Sequence, residues 1–360
     1  MSVETPNAAV RRLDSVQILR ALAALLVLLS HLWVIESKYS PDQITSSALD
    51  FGFSGVDLFF VISGFIMVYV SRDTTRGPGA FGRFLYSRFT RVYPLYWAVS
   101  LAVLAVYLWR PEIIVGSGEA KPNILKSALL WPDIPPDGTG TRLPLLTVGW
   151  TLVHELSFYI IFAVSMLFSR RFLLPFLLAW SAVFIAGNMM GLASAPNALR
   201  IIFDALTAEF LLGAFAGWLF LRIEGRGWGP ACGLFIVSAV VFWGLRPLPV
   251  DFSENWTRVL NWGLPGVFLL YGLVGIEQRA RRNFPRWLAI FGDHSYALYL
   301  THLLALSVMG RIWAIFARDG WVDNLIMLPL MTAVCIAVAA VTYYWIERPL
   351  LRLTKSVIAK

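Results

Sequence analysis

The chain has 360 residues, 58% hydrophobic and 14% charged, with a formal net charge of +8 and a mean hydropathy of +0.67. Soluble domains hold about 45–50% apolar residues, so an ordinary soluble protein is excluded, and stretches that are apolar on every side ask for a lipid bilayer as their partner. The basic residues sit in short loops between apolar spans, which argues against nucleic-acid binding, and Cys232 and Cys335 lie in apolar stretches without the spacing of a disulfide framework or metal site.

Apolar stretches able to cross about 30 Å of hydrocarbon predict an all-α, polytopic membrane bundle of about ten transmembrane helices. They fall at 16–35, 53–71, 92–109, 148–168, 172–190, 199–221, 230–245, 259–275, 287–309 and 325–346. A membrane domain over 16–346 is thus expected between short tails, 1–15 and 347–360. The first apolar run continues past Arg11 and Arg12 without a small-residue cleavage site, so it reads as a retained anchor. With the N-terminus cytoplasmic, 19 of the 30 Lys and Arg residues fall in inside segments and ten in outside ones. That bias places both termini in the cytoplasm of a multi-pass inner-membrane protein.

The first span carries Arg20 and His31. Eleven residues separate them by about 16 Å along the axis and leave them on nearly the same face. Arg20 reads either as a residue snorkelling to the inner headgroups or as a functional cation. His31, near the outer face, has the side chain whose ordinary pKa suits proton transfer near neutral pH, and is the first choice for a general base. The second span runs back inward and opens Ser54-Gly55-Val56-Asp57, placing Asp57 at about the depth of His31. Asp57 can orient the imidazole or serve as the acidic member of a capping box.

The loop before the third span holds Arg83, Arg88 and Arg91. Arg88 and Arg91, near the inner mouth, suit bidentate binding of phosphates. The long outside segment 110–147 reads as an irregular cover over the outer face. The fourth span places Thr151, Glu155 and Tyr159 on one face, with Glu155 open to a structural partnership or an acceptor-binding role; Asp204 and Glu209 in the sixth span are weaker candidates. Gly213-x-x-x-Gly217 reads as a helix-packing contact. In the ninth span Ser295, Tyr299 and His302 recur at i, i+4, i+7, while Tyr296 reads as an interfacial anchor. Glu347-Arg348-Pro349 reads as a helix stop with an inner-surface ion pair.

Together these residues resemble the membrane acyltransferase-3 family. The likeness rests on Arg20-x10-His31, Gly55-Val-Asp57-Leu-Phe-Phe-Val-Ile-Ser-Gly64, Arg88-x-x-Arg91-x-x-Pro94-x-Tyr96, Gly149-Trp150 through Glu155 to Tyr159, Ser295-Tyr296-x-x-Tyr299-x-x-His302 and Glu347-Arg348-Pro349, over roughly residues 13–354. The wording is nearest to bacterial exopolysaccharide O-acetyltransferases of the succinoglycan type. The resemblance implies transfer of an acyl group, usually acetyl from acetyl-CoA, to a hydroxyl of an extracytoplasmic or lipid-linked glycan. It gives Arg20 and His31 as the functional pair and Arg88 and Arg91 as the arginine pair, and it implies single-component action. His154, before the glutamate, departs from the family pattern.

These lines converge on a two-layer site. Arg20, Arg88 and Arg91 hold CoA phosphates at the inner mouth, His31 with Asp57 and Glu155 forms the catalytic group, and Ser295, Tyr299 and His302 bind substrate. A metal is not required. The expected partners are the bilayer, acyl-CoA, a polysaccharide or lipid-linked oligosaccharide acceptor, and the polysaccharide biosynthesis machinery. Two other classes stay open at this stage, a glycolipid transporter and a non-catalytic subunit of an export complex.

Overall fold

The computed structural model describes residues 12–45, 47–115, 120–135, 141–223, 255–280, 284–318 and 320–358. Among them the chain is helical, apart from one isolated antiparallel bridge between Asp133 and Arg142. In chain order the helices are α1 (Asp14–Tyr39), α2 (Ser54–Val70), α3 (Pro78–Trp109), α4 (Ile124–Leu129), α5 (Gly149–Val164), α6 (Leu173–Met189), α7 (Leu199–Phe203) and α8 (Leu206–Arg222). They continue as α9 (Asn255–Arg258), α10 (Leu264–Ala280), α11 (Arg286–Phe316), α12 (Val322–Thr342) and α13 (Arg348–Ile358). Eight helical stretches among the described residues are long and apolar enough to cross a membrane, and they coincide with eight of the ten expected spans.

The two other expected spans differ. The one at 230–245 lies outside the described residues, as do Arg226 and Cys232. The one at 199–221 is broken into α7 and α8. The break falls at Asp204, whose Oδ1 accepts the Leu206 backbone N–H at 3.0 Å, the local side-chain bond that makes aspartate a helix starter.

Two helices run further than their apolar windows. α3 begins at Pro78 rather than 92: Pro78 suits the first helical position, and Arg83, Leu85, Arg88 and Arg91 are good helix formers outside lipid as well as within it. Arg83, Arg88 and Arg91 therefore stand on a rigid helix instead of a loop. At the other end of the chain, Glu347-Arg348-Pro349 does not stop the helix. A π-helical turn at Tyr343–Glu347 leads directly into α13, with Pro349 in the first turn, where its missing N–H costs nothing.

α1 is the central helix, packed on α11 and α2 with α10 and α12 beside it. Close approach is enabled by small residues, as expected where lipid supplies no hydrophobic drive between helices. A side chain at Gly213 of α8 would collide with the Val61 carbonyl oxygen of α2, and one at Gly292 of α11 with the Gln17 carbonyl oxygen of α1. The N-terminus of α1 is capped from a distant part of the chain. Glu277 of α10 accepts the backbone N–H of Asp14 at 3.0 Å and of Ser15 at 2.9 Å, and the Ser15 hydroxyl at 2.5 Å.

Part of the segment after α3, α4, folds back along that helix. α3 ends at Trp109, yet α4 docks on its middle, where Tyr93, Tyr96 and Trp97 donate to the carbonyl oxygens of Leu129 at 2.8 Å, Ser127 at 2.6 Å and Ala128 at 2.8 Å. Twelve residues separate Trp97 from Trp109, so the return is about 18 Å deep. Three aromatic donors in the middle of a span are costly without acceptors, and the re-entrant segment supplies them.

Candidate active site

Helices α1, α2, α3, α5 and α11 enclose a cavity of about 510 Å³. Its inner end, on the side of the two chain ends, is lined by Gln17, Arg20, Arg88, Arg91, Asp293 and Thr354. Its middle is lined by Ser63, Glu155, Tyr159 and Tyr296, and its outer end by Val56, Phe59, Thr151, Leu152 and Tyr299.

The three arginines differ in what they already hold. Arg91 is ion-paired with Glu347, which is almost fully buried, and lies over the Tyr296 ring at 5.2 Å. The inner ion pair expected of Glu347 is therefore present. Arg20 donates to the Gln17 amide oxygen at 3.3 Å, and Arg88 to the Ser87 hydroxyl at 3.3 Å. Among the described residues neither Arg20 nor Arg88 has a carboxylate partner. Two guanidinium groups without counterions beside a cavity form an anion-binding end, with the planar donor geometry that suits phosphate.

Glu155 faces the middle of the cavity, where it accepts from the Ser63 hydroxyl at 3.2 Å and from the Tyr159 hydroxyl one turn further along α5. At the outer end Tyr299 and Thr151 share a hydroxyl hydrogen bond of 2.8 Å. Behind Tyr299 lies His302, ring centroids 6.0 Å apart, and behind His302 lies His31 at 4.9 Å, edge to face. His31 is half-buried and touches Phe53 at 5.2 Å. Its Nδ1 is 2.7 Å from the Val27 carbonyl oxygen. A carbonyl only accepts, so Nδ1 carries the hydrogen and Nε2 holds the basic lone pair. His302 has the same arrangement, with Nδ1 on the Tyr299 and Leu298 carbonyls.

Two expected members stand elsewhere. Asp57 does not meet His31: its carboxylate is fully buried and receives Nε and Nη2 of Arg258 at 3.1 and 2.9 Å, with Glu209 beside the pair. The carboxylate is drawn to a full positive charge in low dielectric rather than to a neutral imidazole. Ser295 spends its hydroxyl on the Gly292 carbonyl of its own helix at 2.7 Å and does not line the cavity. Tyr299, one turn on, lines the outer end; His302, two turns on, lies behind Tyr299, and neither it nor His31 lines the cavity.

Sequence reasoning missed Tyr296, which lines the cavity under Arg91 instead of anchoring at an interface and donates to the Val92 carbonyl at 2.7 Å. It also missed Arg258, whose signal was a basic residue at the outside end of an apolar span, against the usual bias. Gln17 and Ser63 carried no signal beyond being polar within a span. Among the described residues no group of three or more His, Cys, Asp or Glu side chains can hold a metal ion.

Comparison with known proteins gives a coherent result. The acyltransferase-3 family, described as "Acyltransferase domain", matches residues 13–344. The exopolysaccharide production protein ExoZ of Rhizobium meliloti (strain 1021) is 30% identical over 306 residues, covering 84% of this chain and 90% of that protein. The acyltransferase MdmB of Streptomyces mycarofaciens is 24% identical, over 95% and 92% of the two chains. Nodulation protein 10 of Rhizobium leguminosarum bv. viciae is 24% identical, over 96% and 95%. No solved structure matches the chain.

Proposed function

The chain belongs to the membrane acyltransferase-3 family, and from that premise we propose that this multi-pass acyltransferase moves an acetyl group from cytoplasmic acetyl-CoA to a hydroxyl of an extracytoplasmic or lipid-linked polysaccharide. The observation that carries the reading is one cavity with two guanidinium groups that hold no carboxylate at its inner end and Tyr299 at its outer end, with His302 and then His31 packed behind Tyr299. The likeness to an exopolysaccharide production protein supports a polysaccharide as acceptor. The charge bias of the loops supports cytoplasmic termini and an inner-membrane location.

In this reading Arg20 and Arg88, with Arg91 fixed by Glu347, bind the CoA phosphates, and the acyl-pantetheine arm runs outward along the cavity. The acetyl thioester then lies near Thr151 and Tyr299. His31 Nε2 takes the proton of the acceptor hydroxyl as its oxygen bonds to the thioester carbonyl carbon. The negative charge that develops on the carbonyl oxygen is met by the one hydroxyl hydrogen of the Tyr299–Thr151 pair that does not hold the bond between them, drawn from the Val148 carbonyl. Collapse of the tetrahedral intermediate breaks the C–S bond, and the CoA thiolate recovers the proton from His31. Atoms and charge balance with ester and thiol as products, and no metal step is invoked. Glu155 serves the cavity wall, keeping Ser63 and Tyr159 oriented.

The test is acetyl transfer from labelled acetyl-CoA to extracellular or lipid-linked glycan, in membranes holding equal amounts of the wild type, His31→Ala or Arg20→Ala. Label that enters glycan with the wild type and is lost in His31→Ala is expected. Equal labelling by all three overturns the assignment of His31 and Arg20.

A further inference from the structure

Glu155 lies partway along the large cavity, between the guanidinium groups of its inner end and the Thr151–Tyr299 bond of its outer end. Its two carboxylate oxygens are used unequally. Oε1 accepts from the Ser63 hydroxyl at 3.2 Å and from the Tyr159 hydroxyl. Oε2 accepts no hydrogen bond among the described residues and, unlike both oxygens of the buried Glu209, is open to the cavity. A carboxylate inside a span is costly unless something donates to it. An open oxygen held there by its twin calls for a donor that arrives with the ligand.

The acyl-pantetheine arm brings such a donor at the right depth. Two secondary amides interrupt its carbon chain, and the nearer one has its nitrogen four bonds from the thioester carbonyl carbon, about 5 Å when extended. Glu155 follows Thr151 by four residues, about 6 Å along α5 toward the inner end. A thioester beside Thr151 and Tyr299 therefore sets this amide opposite Glu155. On the facing helix, α2, the wall of Phe59, Ile62 and Ile66 is apolar and offers the N–H no other acceptor.

We propose that Glu155 Oε2 accepts the N–H of the pantetheine amide next to the thioester, and so fixes how far the acyl group advances toward Thr151 and Tyr299. The assignment rests on the acetyl-CoA reading above and adds how the donor arm is held in register. A donor without that N–H is gripped by its phosphates alone.

The test compares acetyl-CoA with an analogue in which an ester oxygen replaces that amide N–H. Binding of both donors is measured by calorimetry on the full chain in lipid nanodiscs, and transfer of label to glycan in membranes, for the wild type, Glu155→Gln and Glu155→Ala. The wild type binds acetyl-CoA about 10–100-fold more tightly than the analogue, the worth of one charge-assisted hydrogen bond. Glu155→Gln keeps an oxygen for Ser63 and Tyr159 but turns an amide NH2 to the cavity, which cannot accept, so the preference is lost with the wall intact, as it is in Glu155→Ala. A carboxylate that only braces Ser63 and Tyr159 leaves the ratio of the two donors at the wild-type value in both variants, and that result overturns the proposal. Equal binding of the two donors by the wild type does the same. If the wild type does not bind acetyl-CoA, the donor reading and the contact fall together. If the preference is present and lost as expected but labelled acetyl never reaches glycan, the acyl-transfer reading fails and the contact stands. If transfer proceeds and the ratio is unmoved in Glu155→Gln, the contact alone fails.

Discussion

Separating the Asp57–Arg258 pair distinguishes a structural carboxylate from one that serves His31. Asp57 is fully buried and Arg258 nearly so, and two charge-assisted hydrogen bonds of 3.1 and 2.9 Å join them. Breaking a buried pair from one side strands the other charge, at a cost of about 3–5 kcal/mol. Typical stabilities are about 5–15 kcal/mol, so Asp57→Leu and Arg258→Met alone each lower the thermal unfolding midpoint of the purified protein markedly. The double variant, which strands neither member of the pair and keeps similar volume, regains most of the lost stability, and with it acetyl transfer. The measurement is a fluorescence melt of all four proteins in one detergent, followed by the labelled-acetate assay. A double variant no more stable than the single ones refutes the electrostatic argument. A stable but inactive double variant refutes the structural assignment and returns Asp57 to the chemistry.

Arg88→Gln removes an unpaired guanidinium from the inner end of the cavity, so the KM for acetyl-CoA rises about 10–100-fold, the worth of one charged hydrogen bond, while acceptor saturation is unchanged; an equal rise for both substrates contradicts the division of the cavity into donor and acceptor ends. Glu277→Ala uncaps α1 by removing three acceptor contacts and costs about 1–3 kcal/mol, read as a lower melting midpoint, and an unchanged midpoint shows that water replaces the cap.

What the sequence made legible was local. Arg20 and His31 share one helix, so a spacing of eleven residues was enough to place them about 16 Å apart along it, and apolar length was enough to find eight spans. Partnerships over long sequence distances left no such trace. Asp57 and Arg258 are 201 residues apart, and nothing in the pattern around Asp57 separates a capping acid, a histidine partner and an arginine partner. Helix extension past the apolar window was hidden for a related reason: hydropathy marks where lipid is, whereas backbone hydrogen bonding continues as long as the residues tolerate helix, as in α3 and through Glu347 into α13. The docking of α4 on α3 was hidden because its anchors, Tyr93, Tyr96 and Trp97, are 36, 31 and 31 residues from their acceptors.

The placement of α1 at the centre of the bundle has a consequence for biosynthesis. α1 is made before most of its neighbours: its N-terminal cap comes from Glu277, 262 residues after Ser15, and it packs on α11 as well as on α2. The cavity, in turn, needs Tyr296 and Tyr299 of α11 and the Glu347 that steadies Arg91. A nascent chain therefore carries Arg20, Arg88 and Arg91 without a closed pocket around them until α11 and Glu347 have been made, and a chain truncated before Glu347 is left with the cavity unfinished.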